Sequence, residues 1–396
     1  MIVRRVAVRL LVAMVSALCA LVIGAVAIET WTRITWNPKR GNPGLYLADP
    51  VRRQRLVPNY RGWFAGVRVE INSLGLRDRR EYRLEKPTGT FRILVLGDSV
   101  TFGHGSVYEH TYPYLAEQLL KQWRPDVRWE VWNAAEPGYN TSQELAQLYE
   151  VGPQFTPDLV IVGFYGNDVY DNRPIVPPTA GQRWAAAAAN MARRHLYSFD
   201  LYRRIGLQAA WALVRSDAFK QRLDQIASEE ALFSDINTVE QRPQQQLTPL
   251  DRLTDEQVSA LRCPSSMNAG TMEAELRSAS GWDDWLTAVR AFQDLNRRGI
   301  YRIAFFINPL LRRCVEGDYF DGVGPGYENA LFTRLLSDGT PAGSAFNEFM
   351  HYRPSQLPFA DGHSVGNSNL VKAQALLSFL RDSVLPSIPD LHHDWK

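Results

Sequence analysis

Arg92-Ile93-Leu94-Val95-Leu96-Gly97-Asp98-Ser99-Val100-Thr101-Phe102-Gly103 is an apolar run that stops abruptly in Gly-Asp-Ser. A run rich in Ile, Leu and Val, closed by glycine, predicts a fully buried strand that delivers a polar turn at its carboxyl end. In open α/β sheets that end is where ligands and chemistry sit. A serine placed there is a nucleophile if a base reaches its hydroxyl, but Gly-Asp-Ser also occurs in ordinary turns, so the rest of the chain has to decide.

Working outward, the same pattern repeats. Tyr112–Gln122 has helical spacing with Pro113 in its first turn, Val127–Trp132 reads as a second strand, Ser142–Val151 as a helix and Asp158–Phe164 as a third strand ending in Gly166-Asn167-Asp168. Successive strand-then-helix units with apolar strands predict a parallel sheet covered on both faces. The pattern breaks off from about 172 to 281, where Trp184–Asn190 and Leu196–Val214 are helical and Gln241–Leu250 is a Gln/Pro-rich loop. This helical insertion is expected to cover the core, with a lid or a membrane-lying helix as the alternative. Asp283–Arg298 then resumes as a helix, Tyr301–Ile307 as a fourth strand, Tyr327–Leu336 as a helix, and Asn367–Arg381 as a closing helix preceded by Asp361-Gly362-His363.

Upstream, Arg4, Arg5 and Arg9 precede an uncharged run from Leu10 to Ile28. As a helix that run spans roughly 28 Å, enough to cross a hydrocarbon core, and the arginines should stay in the cytoplasm. A retained anchor over 1–30 is expected; the alternative is a signal cleaved after the small residues Ala25-Val26-Ala27, leaving a secreted protein. In either case the bulk of the chain is exported. Residues 31–90 form a polar connector, an expected spacer with an edge-like stretch at Val67–Ile71, and 91–396 the main domain.

With 396 residues, 45% hydrophobic and 22% charged, the chain can bury a sizeable core. A net charge of +2 without any basic, aromatic-interleaved stripe argues against a nucleic-acid partner. Cys19 falls in the apolar run, and Cys263 and Cys314 are left to an oxidising compartment, where pairing and non-pairing both remain open. No histidine or cysteine group has zinc-ligand spacing, so no metal and no cofactor are expected. His104, His110, His392 and His393 read as surface or loop residues, and His195 and His351 have no identifiable partner.

Gly97-Asp98-Ser99, Gly138 after the second strand, Gly166-Asn167-Asp168 after the third, and Asp361 with His363 resemble the four blocks of the SGNH (GDSL-like) hydrolase family, in order, over about Arg92 to Arg381 with the insertion excepted. The Asn72–Arg77 stretch and the N-terminal helix resemble its membrane-tethered bacterial members. The resemblance implies a flavodoxin-like three-layer α/β/α sandwich, plus the helical insertion and the transmembrane helix. It implies Ser99 as nucleophile, His363 as base and Asp361 as its orienting acid. It further implies an oxyanion hole from the backbone N–H groups of Ser99 and Gly138 and the amide of Asn167, with Asp98 and Asp168 supporting the loops. The residue types suit those tasks: glycine lets a backbone donor approach closely, and an amide donates without titrating. Two departures stand out. Val100 replaces the hallmark leucine, and the acid's usual place three residues before the histidine is Ala360, with Asp361 only two before it, as in exported members that handle acetyl groups on polysaccharides.

Three functions fit this pattern. The first is an esterase facing the periplasm from the inner membrane and removing O-acyl groups, above all acetyl, from a cell-surface glycan or a small acyl ester. The second is an O-acyltransferase with the same site. The third is a non-catalytic glycan-binding or assembly protein, which would be expected to lack one of the blocks.

Overall fold

A computed structural model of the chain describes residues 2–35, 44–217, 220, 223, 242–244, 247–250, 269–314, 317–322, 324–360 and 362–388. The long helix α1 (Ile2–Thr35) opens the chain and includes one stretch long and apolar enough to cross a membrane. Two antiparallel hairpins follow, β1 (Tyr46–Asp49) with β2 (Arg53–Leu56) and β3 (Arg61–Phe64) with β4 (Val67–Glu70). They enclose an apolar cluster of their own, in which Leu45, Leu56, Phe64, Val67 and Ile71 pack with Phe102 and Ala135. The connector is thus a wall built against the segment that follows Ser99 as well as a spacer.

The central unit begins with β5 (Thr90–Gly97), α2 (Ser99–Phe102), α3 (Tyr112–Trp123), β6 (Arg128–Asn133), α4 (Thr141–Phe155), β7 (Leu159–Phe164) and α5 (Asn167–Tyr170). Helices α6 (Ala180–His195) and α7 (Phe199–Val214) belong to the insertion; α8 (Ala269–Ser278) and α9 (Trp282–Arg297) lead back to β8 (Ile303–Ile307). Then come α10 (Gly324–Leu336), β9 (Ala342–Ser344), α11 (Phe346–Phe349), the two-residue strands β10 (Phe359–Ala360) and β11 (His363–Ser364), and α12 (Asn367–Phe379). The sheet runs β6-β5-β7-β8-β9, parallel throughout. Renumbered along the sheet this is 2-1-3-4-5, the flavodoxin-like order.

Every residue of β5 is buried, and its apolar side chains alternate between two cores. Ile93 and Val95 pack with α3 and α12, while Leu94 and Leu96 pack with Trp132, Trp285 and Phe292 beneath α4 and α9. This explains why a continuous apolar run, and not an alternating one, marks the strand: both faces are covered. Arg92, fully buried in the same strand, is satisfied by Glu130 at 2.9 Å and by the carbonyl oxygens of Phe155, Leu84 and Arg83, with its guanidinium over the Trp132 ring. The fifth strand, β9, has no counterpart in the sequence reading; its three residues are too few to show a period, and it becomes a strand by docking on the free edge of β8. Cys314 is disulfide-bonded. Cys263 lies outside the described residues, as do His392 and His393.

Candidate active site

Three sheet strands and one hairpin deliver the site residues. At the end of β5, Gly97 lies level with Gly163 of β7, and a Cβ on either would come within 2.3 Å of Thr101 Oγ1. The two glycines let the turn after β5 fold down onto the sheet, where Thr101 bonds the Tyr112 hydroxyl at 2.9 Å. Asp98 caps α2, its carboxylate accepting the Val100 N–H at 2.8 Å, and Ser99 begins the helix, half-buried at the rim. The antiparallel pair β10–β11 brings His363 to the same rim, with Ala360 as its cross-strand partner. Ser99 Oγ and His363 Nε2 lie 2.8 Å apart. That is the contact a serine needs to hand its proton to an imidazole. Asp361 lies outside the described residues.

The neighbouring loops close around this pair. The loop after β6 is stitched to β5 by the Glu136 N–H, which donates to the Gly97 carbonyl at 2.9 Å. Two residues on, Gly138 sits exposed with φ of 78°, a conformation glycine adopts without strain. After β7, Asn167 starts α5, and its side-chain amide donates to Asp98. Asp168 is fully buried and accepts the Tyr165 N–H at 3.0 Å. The structure therefore joins Ser99 directly to His363 and Asp98 to Asn167, while Gly138 stands on the adjacent loop of the same rim.

Several groups here were not picked out from the sequence. His104, expected at the surface or in a loop, is in the loop after α2 but only 8% exposed, its ring stacked on that of His363 at 4.3 Å and edge-on to Phe64. Burial, reinforced by His363 and Arg77, drives its pKa down to about 3. Arg77, also buried, donates to the carbonyl oxygens of Phe102 at 2.5 Å, Gly103 at 2.8 Å and Ser106, and lies over the Phe102 ring. Behind the turn that carries Ser99, Asp98, Glu144 and Asp168 are all fully buried, and burial pushes each carboxyl upward, with repulsion from Asp98 adding to it at Glu144 and from Glu144 and Asp98 at Asp168. Lys372 of α12 is buried too and is lowered to about 7 by desolvation, opposed by Asp98. Among the described residues no group of His, Cys, Asp and Glu is arranged to hold a metal ion. Only the spacing of Asn72–Arg77 ahead of the first strand hinted at Arg77; nothing local marks His104 or Glu144 as neighbours of Ser99.

Residues 95–255 match the GDSL-like Lipase/Acylhydrolase family, a stretch that contains Asp98, Ser99, Gly138 and Asn167. An arylesterase of Vibrio mimicus is 36% identical over 77 residues, which are 19% of this chain and 38% of that protein. The chain thus spans well under half of that relative's length. Among solved structures, a two-domain esterase active on acetylated mannans aligns over 75% of this chain and 50% of its own, at 11% identity and a TM-score of 0.32. An α/β hydrolase enzyme from the metagenome of Lake Arreo, Spain, aligns over 73% and 93%, at 14% identity and a TM-score of 0.34.

Proposed function

We propose that the chain, whose residues 95–255 match the GDSL-like Lipase/Acylhydrolase family, is a serine hydrolase of that SGNH (GDSL-like) type, an exported esterase that removes O-acetyl groups from a cell-surface glycan. The observation that carries the chemistry is the 2.8 Å contact between Ser99 Oγ and His363 Nε2. In this reading Ser99 Oγ attacks the ester carbonyl carbon while His363 Nε2 takes its proton. The oxyanion is met by the backbone N–H groups of Ser99 and Gly138 and by the Asn167 amide, which has a second N–H besides the one given to Asp98. Collapse expels the sugar alkoxide, which takes the proton from His363. Water, activated by the same imidazole, then frees acetate from the acyl-serine. Asp361 orients the imidazole and stabilises its charged form. Support for an exported site comes from Arg4, Arg5 and Arg9 ahead of the apolar run. Support for an acetylated glycan is the spacing of Asp361 and His363.

The test incubates the full chain in nanodiscs with 4-nitrophenyl acetate and with acetylated polysaccharide, with and without an acceptor sugar, beside Ser99→Ala. Free acetate from the polysaccharide with the unaltered chain and none with Ser99→Ala supports hydrolysis; acetate carried to the acceptor means transfer; ester cleavage unchanged in Ser99→Ala sinks the assignment. Asp361→Asn should lower turnover by orders of magnitude, because the amide favours the wrong imidazole tautomer. Undiminished turnover per folded molecule would leave a Ser99–His363 dyad.

A further inference from the structure

Helices α6 and α7 are fastened to α1 where its apolar run ends, and yet each leaves an apolar stripe uncovered. Glu29, the first ionisable residue after Ile28, accepts the Tyr197 and Ser198 N–H groups at 3.0 Å each and the Ser198 hydroxyl at 2.6 Å. One turn later Arg33 donates to the His195 carbonyl at 2.7 Å and lies over the Tyr197 ring at 4.6 Å. The junction between α6 and α7 is therefore closed onto α1 within about 8 Å, some one and a half helical turns, of the end of the apolar run. A bilayer that holds Leu10–Ile28 has its interface at that height.

Both helices turn apolar residues away from the protein there. On α7, Leu201, Ile205 and Ala209 recur every four residues and are exposed, while Arg203, Arg204, Leu207 and Ala210 form the half-buried opposite face. On α6, Trp184, Ala188 and Met191 form a like stripe, with Trp184 78% and Met191 74% exposed. Large apolar residues exposed in contiguous stripes mark an interaction surface. From Ala180 to Val214 there are five arginines and one aspartate, a balance that suits anionic lipid headgroups and excludes a basic partner. Trp184, Tyr202 and Trp211, all exposed, are of the type that settles at the headgroup level.

We propose that α6 and α7 lie in the bilayer interface beside the anchor, with lipid covering their exposed stripes. This rests on the reading of α1 as a retained transmembrane helix. Its consequence reaches the active site: Asn190 of α6 brackets Ala48 of β1 through bonds of 2.5 and 3.0 Å, and β2 holds the loop of Gly138 through Gln54 to the Pro137 carbonyl at 2.7 Å and the Tyr139 hydroxyl to the Gln54 carbonyl at 2.6 Å. A continuous set of bonds then sets the attitude of the catalytic rim to the membrane surface.

The experiment places a nitroxide label on the full chain in phosphatidylcholine–phosphatidylglycerol nanodiscs, at Val15→Cys, Ile205→Cys, Met191→Cys or Tyr149→Cys, in a Cys19→Ser background. Accessibility to oxygen is compared with accessibility to a nickel chelate. Labels at 15, 205 and 191 should favour oxygen several-fold over the chelate, and the label at 149, on an exposed face of α4, should do the reverse. If 15 is in lipid while 205 and 191 behave like 149, the surface docking is wrong and the anchor stands. If 15 is also in water, the anchor reading fails and takes the proposal with it. Shielding of 205 and 191 from both reagents, with spin broadening that vanishes on dilution with unlabelled chain, would show a second copy on the stripe and overturn the lipid assignment.

Discussion

His104 shows how a side chain can lie against the imidazole proposed as the base without competing for its proton. Its ring lies against that of His363, and a pKa lowered to about 3 keeps it neutral through the neutral pH range. Because the unfolded histidine titrates near 6.5, the folded chain holds fewer protons between the two values, so stability is full above 6.5 and is lost as pH falls toward 3. His104→Phe keeps the stack and should leave kcat within a few-fold while flattening that acid-side loss in thermal melts taken across the range. His104→Ala frees the His363 ring and should lower kcat by about tenfold with little change in KM, the mark of a positioning role. At the same scale, Asn167→Ala should reduce kcat by roughly 10²–10³ if its amide meets the oxyanion. Steady-state kinetics beside circular dichroism separates that from misfolding, and an undiminished kcat would remove Asn167 from the oxyanion hole.

Among the elements, α2 is the one whose position matters most and whose own length contributes least. Four residues cannot hold themselves as a helix, so the turn is fixed from outside. Asp98 caps its start, Thr101 sits in the space left by Gly97 and Gly163, and Arg77 forks onto the carbonyl groups at its end. Removing that guanidinium leaves buried carbonyls unpaired at a cost of about 1–3 kcal/mol for each such group. Arg77→Met should therefore lose about 3 kcal/mol or more in urea denaturation, and Arg77→Lys, a point charge without the planar fork, should recover only part of it. A loss below about 1 kcal/mol would mean that the connector merely leans on α2.

For the molecule as a whole, the distinctive feature is a fully buried trio of carboxyl groups where the sheet meets the rim that carries Ser99. Glu144 is the clearest case, raised well above 4.5 by burial and by Asp98, and neither carboxyl oxygen has a hydrogen-bond partner among the described residues. The fold retains a proton there that the unfolded chain releases above 4.5, so the stability from Glu144 is complete below that pH and declines as pH rises. Glu144→Gln cannot ionise and should flatten that decline. At pH 8 it should be the more stable protein, by roughly 1.4 kcal/mol for every pH unit over which the native fold keeps a proton that the unfolded chain has given up. Melting temperatures of the two proteins from pH 4.5 to 8 check this; parallel curves would show that Glu144 is ionised in the fold after all.

What the sequence determined by itself is the set of features that repeat locally. Apolar runs long enough to fill a two-sided strand announced β5, β7 and β8, an alternating run announced β6, and the polar, glycine-bearing loops after β5, β6 and β7 placed Ser99, Gly138 and Asn167 on one rim. A hydrophobic run of bilayer length likewise announced α1. Tertiary structure alone decided whatever depends on surfaces meeting from distant parts of the chain. Ala342–Ser344 is a strand only because β8 has an open edge, and His104 is buried only because Phe64 of the connector and His363 of the closing hairpin converge on it. Glu144 sits in the helix-start spacing of α4 like any exposed first-turn acid, and only the packing of α4 over the sheet takes it out of water. Periodicity records which face of an element is apolar; it holds no record of which other element will cover that face, and that is where this site acquired Arg77, His104 and its buried carboxyls.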